Sequence, residues 1–390
     1  MRIFKNPDVL PEYHDSRFDN PHAQAVRNYH ASFPEYLPTP LVSLNCLAKE
    51  LDVAGIHIKD ESKRFGLNAF KVLGSSYAIG CFVSGLLRDS IGNMPYSRLI
   101  NDEIRQLIGQ ATFITATDGN HGRGVAWTAN RLGQNSVVYM PRGTAKERLD
   151  NILNLGSDAS ITDLVYDDCV RKARDAASKN GWILVQDTAW EGYEEIPLSI
   201  MQGYLTMVSE ALEQLEEVQP THVFLQAGVG SMAAAAAAYL CSCLERKPVI
   251  TIVEPDTADC FYRTACAHDG GLHCCDGEMN TIMAGLACGE PNPLAWDILS
   301  RTADFFVTIP DEVTEEAMRQ LNAPVLSDSR ILSGESGASS FGCAYRILSS
   351  PNSADLREQF RIGKDSVIFC ISTEGPTDTA SFLKICGTNA

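Results

Sequence analysis

Short runs of β-branched and aromatic residues at 111–115, 136–140 and 182–185 are separated by segments whose apolar positions recur every three or four residues. This alternation predicts strands for the runs and helices over 121–132, 145–155 and 167–180. Gly156 and Gly181 are expected to stop the second and third helices, because glycine takes the left-handed cap without steric cost. Farther on, Leu205, Val208, Leu212 and Leu215 share one face of a helix expected over 201–218. Strands are predicted at 221–226, 249–253, 305–309 and 366–371, and the six alanines at 233–238 favour helix. Strands alternating with helices point to parallel sheets covered on both faces. Two α/β units are the economical reading, with soft boundaries near 92 and 192 that no Pro- or Ser-rich linker marks.

Composition narrows the function classes. The chain has 390 residues and a formal net charge of −17, which argues against a polyanion surface built from clustered Lys and Arg, so no nucleic-acid partner is expected. The longest small-apolar stretch, around Met232, falls far short of the roughly 20 residues needed to cross a bilayer, and no membrane association is expected. The first eight residues lack an apolar core, so no secretory signal is expected. The 13 cysteines form no Cys-x-x-Cys pair, a pattern suited to free thiols in a reducing cytoplasm. Cys260, Cys266, His268, His273, Cys274 and Cys275 are close in sequence but lack the spacing of a tetrahedral zinc site, and no metal is expected.

Three segments could carry chemistry. Gln226-Ala227-Gly228-Val229-Gly230-Ser231-Met232-Ala233 follows a predicted strand and opens a helix, where exposed amides and the helix dipole favour an anion such as phosphate. It contains no Walker-type lysine, but Gly228-x-Gly230-x-x-Ala233 satisfies the relaxed dinucleotide fingerprint, with Glu254 placed as a ribose-binding acid. A nicotinamide-dependent dehydrogenase is therefore one reading. In Asn68-Ala69-Phe70-Lys71-Val72-Leu73-Gly74, downstream of Lys59-Asp60-Glu61-Ser62, a lysine among apolar residues can lose its charge by desolvation and form Schiff bases, although a lone lysine more often lies on the surface. Thr115-Ala116-Thr117-Asp118-Gly119-Asn120-His121-Gly122 gathers amides, an amide side chain and a carboxylate at a helix start, a bed for a substrate carboxylate and a cofactor hydroxyl, and equally good turn chemistry.

Pro38-Thr39-Pro40-Leu41, Phe70-Lys71, the Asp118–Gly122 segment and the glycine loop resemble, in order, the motifs of fold-type II pyridoxal-phosphate enzymes. More narrowly, residues 65–74, 115–127, 186–193, 279–286, 333–338 and 372–375 resemble the diaminopropionate ammonia-lyases. The resemblance implies a tryptophan synthase β-like fold of two open, mostly parallel α/β domains with the active site between them. Residues 1–92 and 193–390 would form the larger unit and 93–192 the smaller. It implies that Lys71 carries pyridoxal phosphate as a Schiff base beside Phe70, that Gly228, Val229, Gly230, Ser231 and Met232 cradle the phosphate, and that Asn120 bonds the ring hydroxyl. Ser372, or Thr373 beside it, would face the pyridine nitrogen, and a hydroxyl there favours elimination over transamination. Thr117, Asp118, Gly119 and His121 would meet the substrate.

Asp118 stands where the common dehydratases have serine or threonine, and would act as a second base on the face of Cα opposite Lys71, opening the site to both D- and L-substrates. Asp187 would hold a β-ammonium group, which a serine dehydratase has no need to bind, and would be a catalytic acid that assists the departure of ammonia from Cβ. Trp190 and Tyr193 more often pack than react. Ser75 replaces a glycine expected after Gly74. The resulting expectation is a cytoplasmic, homodimeric ammonia-lyase acting on 2,3-diaminopropionate. The alternatives are a serine or threonine dehydratase, the dehydrogenase above, and a binding protein that keeps the fold.

Overall fold

A computed structural model describes residues 1–275 and 277–387. Eleven strands are found among them: β1 Arg2–Lys5, β2 Leu41–Ser43, β3 Gly55–Asp60, β4 Thr112–Ala116, β5 Asn135–Met140, β6 Asp158–Ile161, β7 Ile183–Leu184, β8 His222–Gln226, β9 Val249–Pro255, β10 Phe305–Ile309 and β11 Val367–Ser372. They form a seven-stranded sheet of order β1-β10-β9-β8-β11-β3-β2 and a four-stranded sheet of order β6-β5-β4-β7. The five inner strands of the large sheet are parallel, its two edge strands are antiparallel, and the small sheet is wholly parallel. All strands of the small sheet come from residues 112–184, and those of the large sheet come from both flanks.

The inner strands are apolar because both faces are covered. In β8, Val223 and Leu225 join one core and Phe224 the other; in β11, Phe369 and Ile371 alternate in the same way with Ile368 and Cys370. The alanine run does more than favour helix. It lies in the helix Ser231–Cys243, fully buried at 233–238, where small side chains let neighbouring helices approach closely.

The predicted strands from residue 111 onward all form, with ends shifted by a residue or two. The helix expected over 201–218 is two, Glu195–Gly203 and Leu205–Leu215, broken where Tyr204 bonds back to the Met201 carbonyl at 3.2 Å. Gly203 lies so near the facing chain that a Cβ there would sit 2.5 Å from the Leu73 oxygen. Gly181 closes its helix in the left-handed conformation, whereas Lys146–Leu153 ends before Gly156 is reached. The first three strands and the helix Val72–Leu86 carry no clear periodicity, since that helix is buried on nearly every side. It packs against Asn120–Arg131 and Glu195–Gly203, and so joins the two sheets behind the cleft. Among the described residues no helix is long and apolar enough to cross a membrane.

Candidate active site

In the large sheet the chain passes from β8 outward through β9 and β10 and then returns to the other side of β8 as β11. Such a reversal leaves a crevice at the carboxyl ends of the strands, the usual ligand site of open α/β sheets. Here β8 runs into the glycine loop, β11 into Thr373 and Glu374, β4 into Asp118, and β7 toward Asp187. They enclose a cleft together with Phe70 and Lys71, which precede Val72–Leu86.

Lys71 Nζ pairs with Asp187 Oδ2 inside this cleft. Burial opposes the ammonium, but the Asp187 carboxylate outweighs it and raises the Lys71 pKa. Burial also opposes the carboxylate, and the lysine charge nevertheless brings Asp187 down to about 2. The expectation that Lys71 loses its charge by desolvation is thus corrected, because a carboxylate 116 positions away in sequence reaches it. The other Asp187 oxygen accepts from Gln186 Nε2 at 3.3 Å and from the Tyr166 hydroxyl at 3.4 Å.

Asp118 lines the same cleft, with its side chain 18% exposed. Burial raises its pKa, against the opposing influence of Arg148 and Lys71, and its Oδ2 accepts no hydrogen bond. Thr117 does not line the cleft; its hydroxyl accepts from the amides of Gly119 and Gly122 at 2.9 and 3.0 Å and so fixes the turn that presents Asp118. Gly119 and His121 also stand outside the lining, and His121 Nε2 meets the Val185 carbonyl at 2.8 Å. Asn120 does line it and donates to Glu374, a buried carboxyl whose pKa burial raises.

Gly228, Val229, Gly230, Ser231 and Met232 line the cleft where the helix Ser231–Cys243 begins. Gly230 has φ +87°, and a Cβ there would run into the Phe261 ring; one on Gly228 would sit 3.0 Å from the Gly285 oxygen. The loop therefore keeps its backbone bare at a helix N-terminus, which suits a phosphate. Thr373 lines the cleft and accepts from Gln226 Nε2 at 3.0 Å, whereas Ser372 turns away to Ser333 at 2.7 Å.

Several sequence expectations change. Glu254 cannot take a ribose: it is fully buried and accepts from the amides of Phe261 and Tyr262 at 2.9 and 2.7 Å, capping the helix Cys260–Ala267. Ser75 is accommodated because Gly124 faces it, where a Cβ would lie 2.5 Å from the serine oxygen. Trp190 and Tyr193 stack at 4.4 Å, and the tyrosine hydroxyl donates to the Leu184 carbonyl and accepts from the Gln186 amide, both at 2.9 Å. Cys260 and Cys275 are buried near Glu254 and Asp259, and the described residues hold no group of three or more His, Cys, Asp or Glu arranged for a metal.

Tyr166, Gln226, Gly285, Leu286, Cys288, Ser336 and Glu374 also line the cleft without having been singled out in the sequence. Gln226, Gly285, Leu286, Ser336 and Glu374 fall inside the motif segments, which is the signal that could have found them. Tyr166 and Cys288 carry none.

Comparison with known proteins agrees with this geometry. The family described as pyridoxal-phosphate dependent enzyme matches residues 33–373. Diaminopropionate ammonia-lyase of Escherichia coli (strain K12) is 48% identical over 98% of this chain and 94% of its own length, and that of Salmonella typhimurium is 46% identical over 90% and 88%. Solved structures of the Escherichia coli enzyme, one in complex with D-serine and one with an aminoacrylate-PLP azomethine reaction intermediate, superpose with TM-score 0.91. Their identities are 44% and 45%, and each match covers all of this chain and 98% of the other. A tomato threonine deaminase at 20% identity and TM-score 0.72 shares the fold. A lysine facing a bare, glycine-lined helix N-terminus is what pyridoxal phosphate requires, and the chain belongs to the pyridoxal-phosphate-dependent enzymes of fold type II, within the diaminopropionate ammonia-lyase family.

Proposed function

We propose that the cleft eliminates ammonia from 2,3-diaminopropionate, in either enantiomeric form, and that the released enamine hydrolyses to pyruvate and a second ammonia. The observation that carries this reading is the Lys71–Asp187 pair, since a carboxylate beside the cofactor lysine already holds an ammonium group. Lys71 would hold pyridoxal phosphate, the amides of 228–232 its phosphate, Asn120 its ring hydroxyl, and Thr373, with Ser372 behind it, the side of the pyridine nitrogen. When bound, the cofactor supplies an electron sink for the charge left when the α-proton departs.

The chain's own residues do the rest. Lys71, once it is a neutral amine released from the Asp187 pair, and Asp118 stand as alternative bases for the α-proton, and Asp187 orients the β-ammonium so that it leaves as ammonia. Thr117 and Gly119 shape the turn that would present backbone amides to the substrate carboxylate, with His121 anchoring the turn behind it. The substrate would sit between the unit formed by 93–192 and that formed by 1–92 with 193–390. Family membership also supports a cytoplasmic homodimer. A dehydratase acting on serine is the competing reading, kept in view by the relative's complex with D-serine.

The test is to follow visible absorption and pyruvate together after adding D- or L-2,3-diaminopropionate, or serine, to the holoenzyme. A cofactor band that shifts as pyruvate forms, fastest with the diamino acid, supports the proposal. Faster turnover of serine would replace it with the dehydratase.

A further inference from the structure

Arg148 lies on the helix Lys146–Leu153, outside every motif identified in the sequence, yet it is only 7% exposed. Its Nη1 is 3.5 Å from Asp118 Oδ2 and 3.5 Å from the Asp118 carbonyl oxygen. Its stem crosses the turn just where Gly119 has no side chain: a Cβ there would meet Arg148 Cδ at 3.2 Å. The guanidinium thus reaches both the side chain and the backbone of the residue that carries the second carboxylate, while the stem leans on the glycine after it.

The surroundings make this contact matter. Asp118 Oδ2 is buried and accepts no hydrogen bond from the protein, and among the described residues Arg148 is the one cation within ion-pair distance of it. Lys71 is the other positive group acting on Asp118, but its ammonium is engaged by Asp187. Glu374, after β11, acts in the opposite sense and favours the protonated acid. Tyr166 and Cys288, also in the lining, are held neutral by burial. Arg148 itself faces Glu374, Asp118, Glu335 and Asp378, which hold its positive charge in place despite burial. Without a cation beside it, a carboxyl enclosed in this way is driven toward its protonated form, which is not a base.

We propose that Arg148 is a positioning residue that keeps Asp118 ionised and aimed into the cleft, and so determines whether the enzyme can use the substrate enantiomer whose α-proton faces Asp118. The inference rests on Asp118 being a base for one enantiomer. Arg148 does not touch the reacting atoms and acts through the carboxylate alone.

The experiment records pH profiles of kcat and kcat/KM for the holoenzyme with D- and L-2,3-diaminopropionate separately, in wild type, Arg148→Met, Arg148→Gln, Arg148→Lys and Asp118→Asn. The enantiomer lost in Asp118→Asn identifies the face that Asp118 serves. For that enantiomer, Arg148→Met and Arg148→Gln are expected to move the acid limb upward by about one pH unit, so that kcat falls about tenfold at pH values below the wild-type limb and much less above it. The other enantiomer should stay within about twofold, and Arg148→Lys, which keeps the charge, should restore most of the loss. Equal loss on both enantiomers with an unmoved acid limb, or a rise in KM alone, would overturn the inference and leave Arg148 a structural or carboxylate-binding residue. If Asp118→Asn itself affects both enantiomers equally, the two-base reading fails first. If Asp118→Asn is selective and the neutral Arg148 variants are not, only the present inference fails.

Discussion

Two groups of buried charge in this molecule behave differently. In the first, Arg64 makes bonds of 2.9 Å to each oxygen of Glu61 and of 2.7 and 2.9 Å to those of Glu210, while Lys59 reaches Glu210 at 2.8 Å and the Thr39 carbonyl at 2.7 Å. Tyr36, Thr39 and Gln214 complete the network. All four charged side chains are fully buried, and none of their polar atoms lacks a partner. The second group lines the cleft and its mouth. There Asp118 Oδ2, Gln226 Oε1 and Glu335 Oε2 are buried without a hydrogen-bond partner, as is His121 Nδ1 just behind. The difference teaches that buried charge does not by itself make a site. A saturated cluster fastens the fold; a cluster with unused hydrogen-bonding capacity has been left open for a ligand.

The largest effect is expected from replacing Lys71, the residue proposed to hold the cofactor. Lys71→Ala is expected to abolish the visible cofactor band and to lower pyruvate formation by about 10³-fold or more, checked by absorption and product assay, while the cooperative unfolding transition is retained. Retained activity would mean that Lys71 does not hold the cofactor. In the saturated cluster the loss should fall on stability instead. Glu210→Gln leaves Lys59 and Arg64 with one carboxylate between them, and should cost about 3–5 kcal/mol in denaturant unfolding, with kcat of the folded enzyme little changed.

The same variant sharpens the pH dependence. Burial opposes ionisation of Glu210, but Arg64 and Lys59 bring it from 4.5 down to about 2, and Lys71 does the same for Asp187 from 3.8. Both carboxylates are therefore lowered in the folded state. Their contribution is complete above the ordinary values and is lost as pH falls toward about 2. Acid unfolding should steepen in that window, and Glu210→Gln should flatten it.

How far the sequence could be read follows the same physical lines. The strands β8 to β11 are legible because burial on both faces demands near-continuous apolar runs, and the glycine loop because a bare turn before a helix has few other uses. The edge strand β6, with its exposed Asp-Ala-Ser-Ile, and the uniformly buried helix Val72–Leu86 have no amphipathic period to betray them. At the site, Lys71 could be found from its motif, but its charge state could not, because Asp187 decides it from a distant strand end. Glu254 illustrates the opposite error, since an acid at the right sequence distance from a glycine pattern proves to be a helix cap. Lys59 and Lys71 look alike in sequence, both close to acids and apolar residues, and only their partners separate a fastening from a reactive amine.

If Asp187 binds the ammonium group of a diamino acid, its removal should separate diamino from hydroxy substrates. The most direct measurement is the ratio of kcat/KM for 2,3-diaminopropionate to that for serine, compared between wild type and Asp187→Asn. The ratio should fall by about tenfold to a hundredfold, because the charge-assisted bond to the β-ammonium is lost and serine never made one. If both substrates decline equally and the ratio holds, Asp187 serves only to hold Lys71, and the assignment of a diamino substrate to this carboxylate is contradicted.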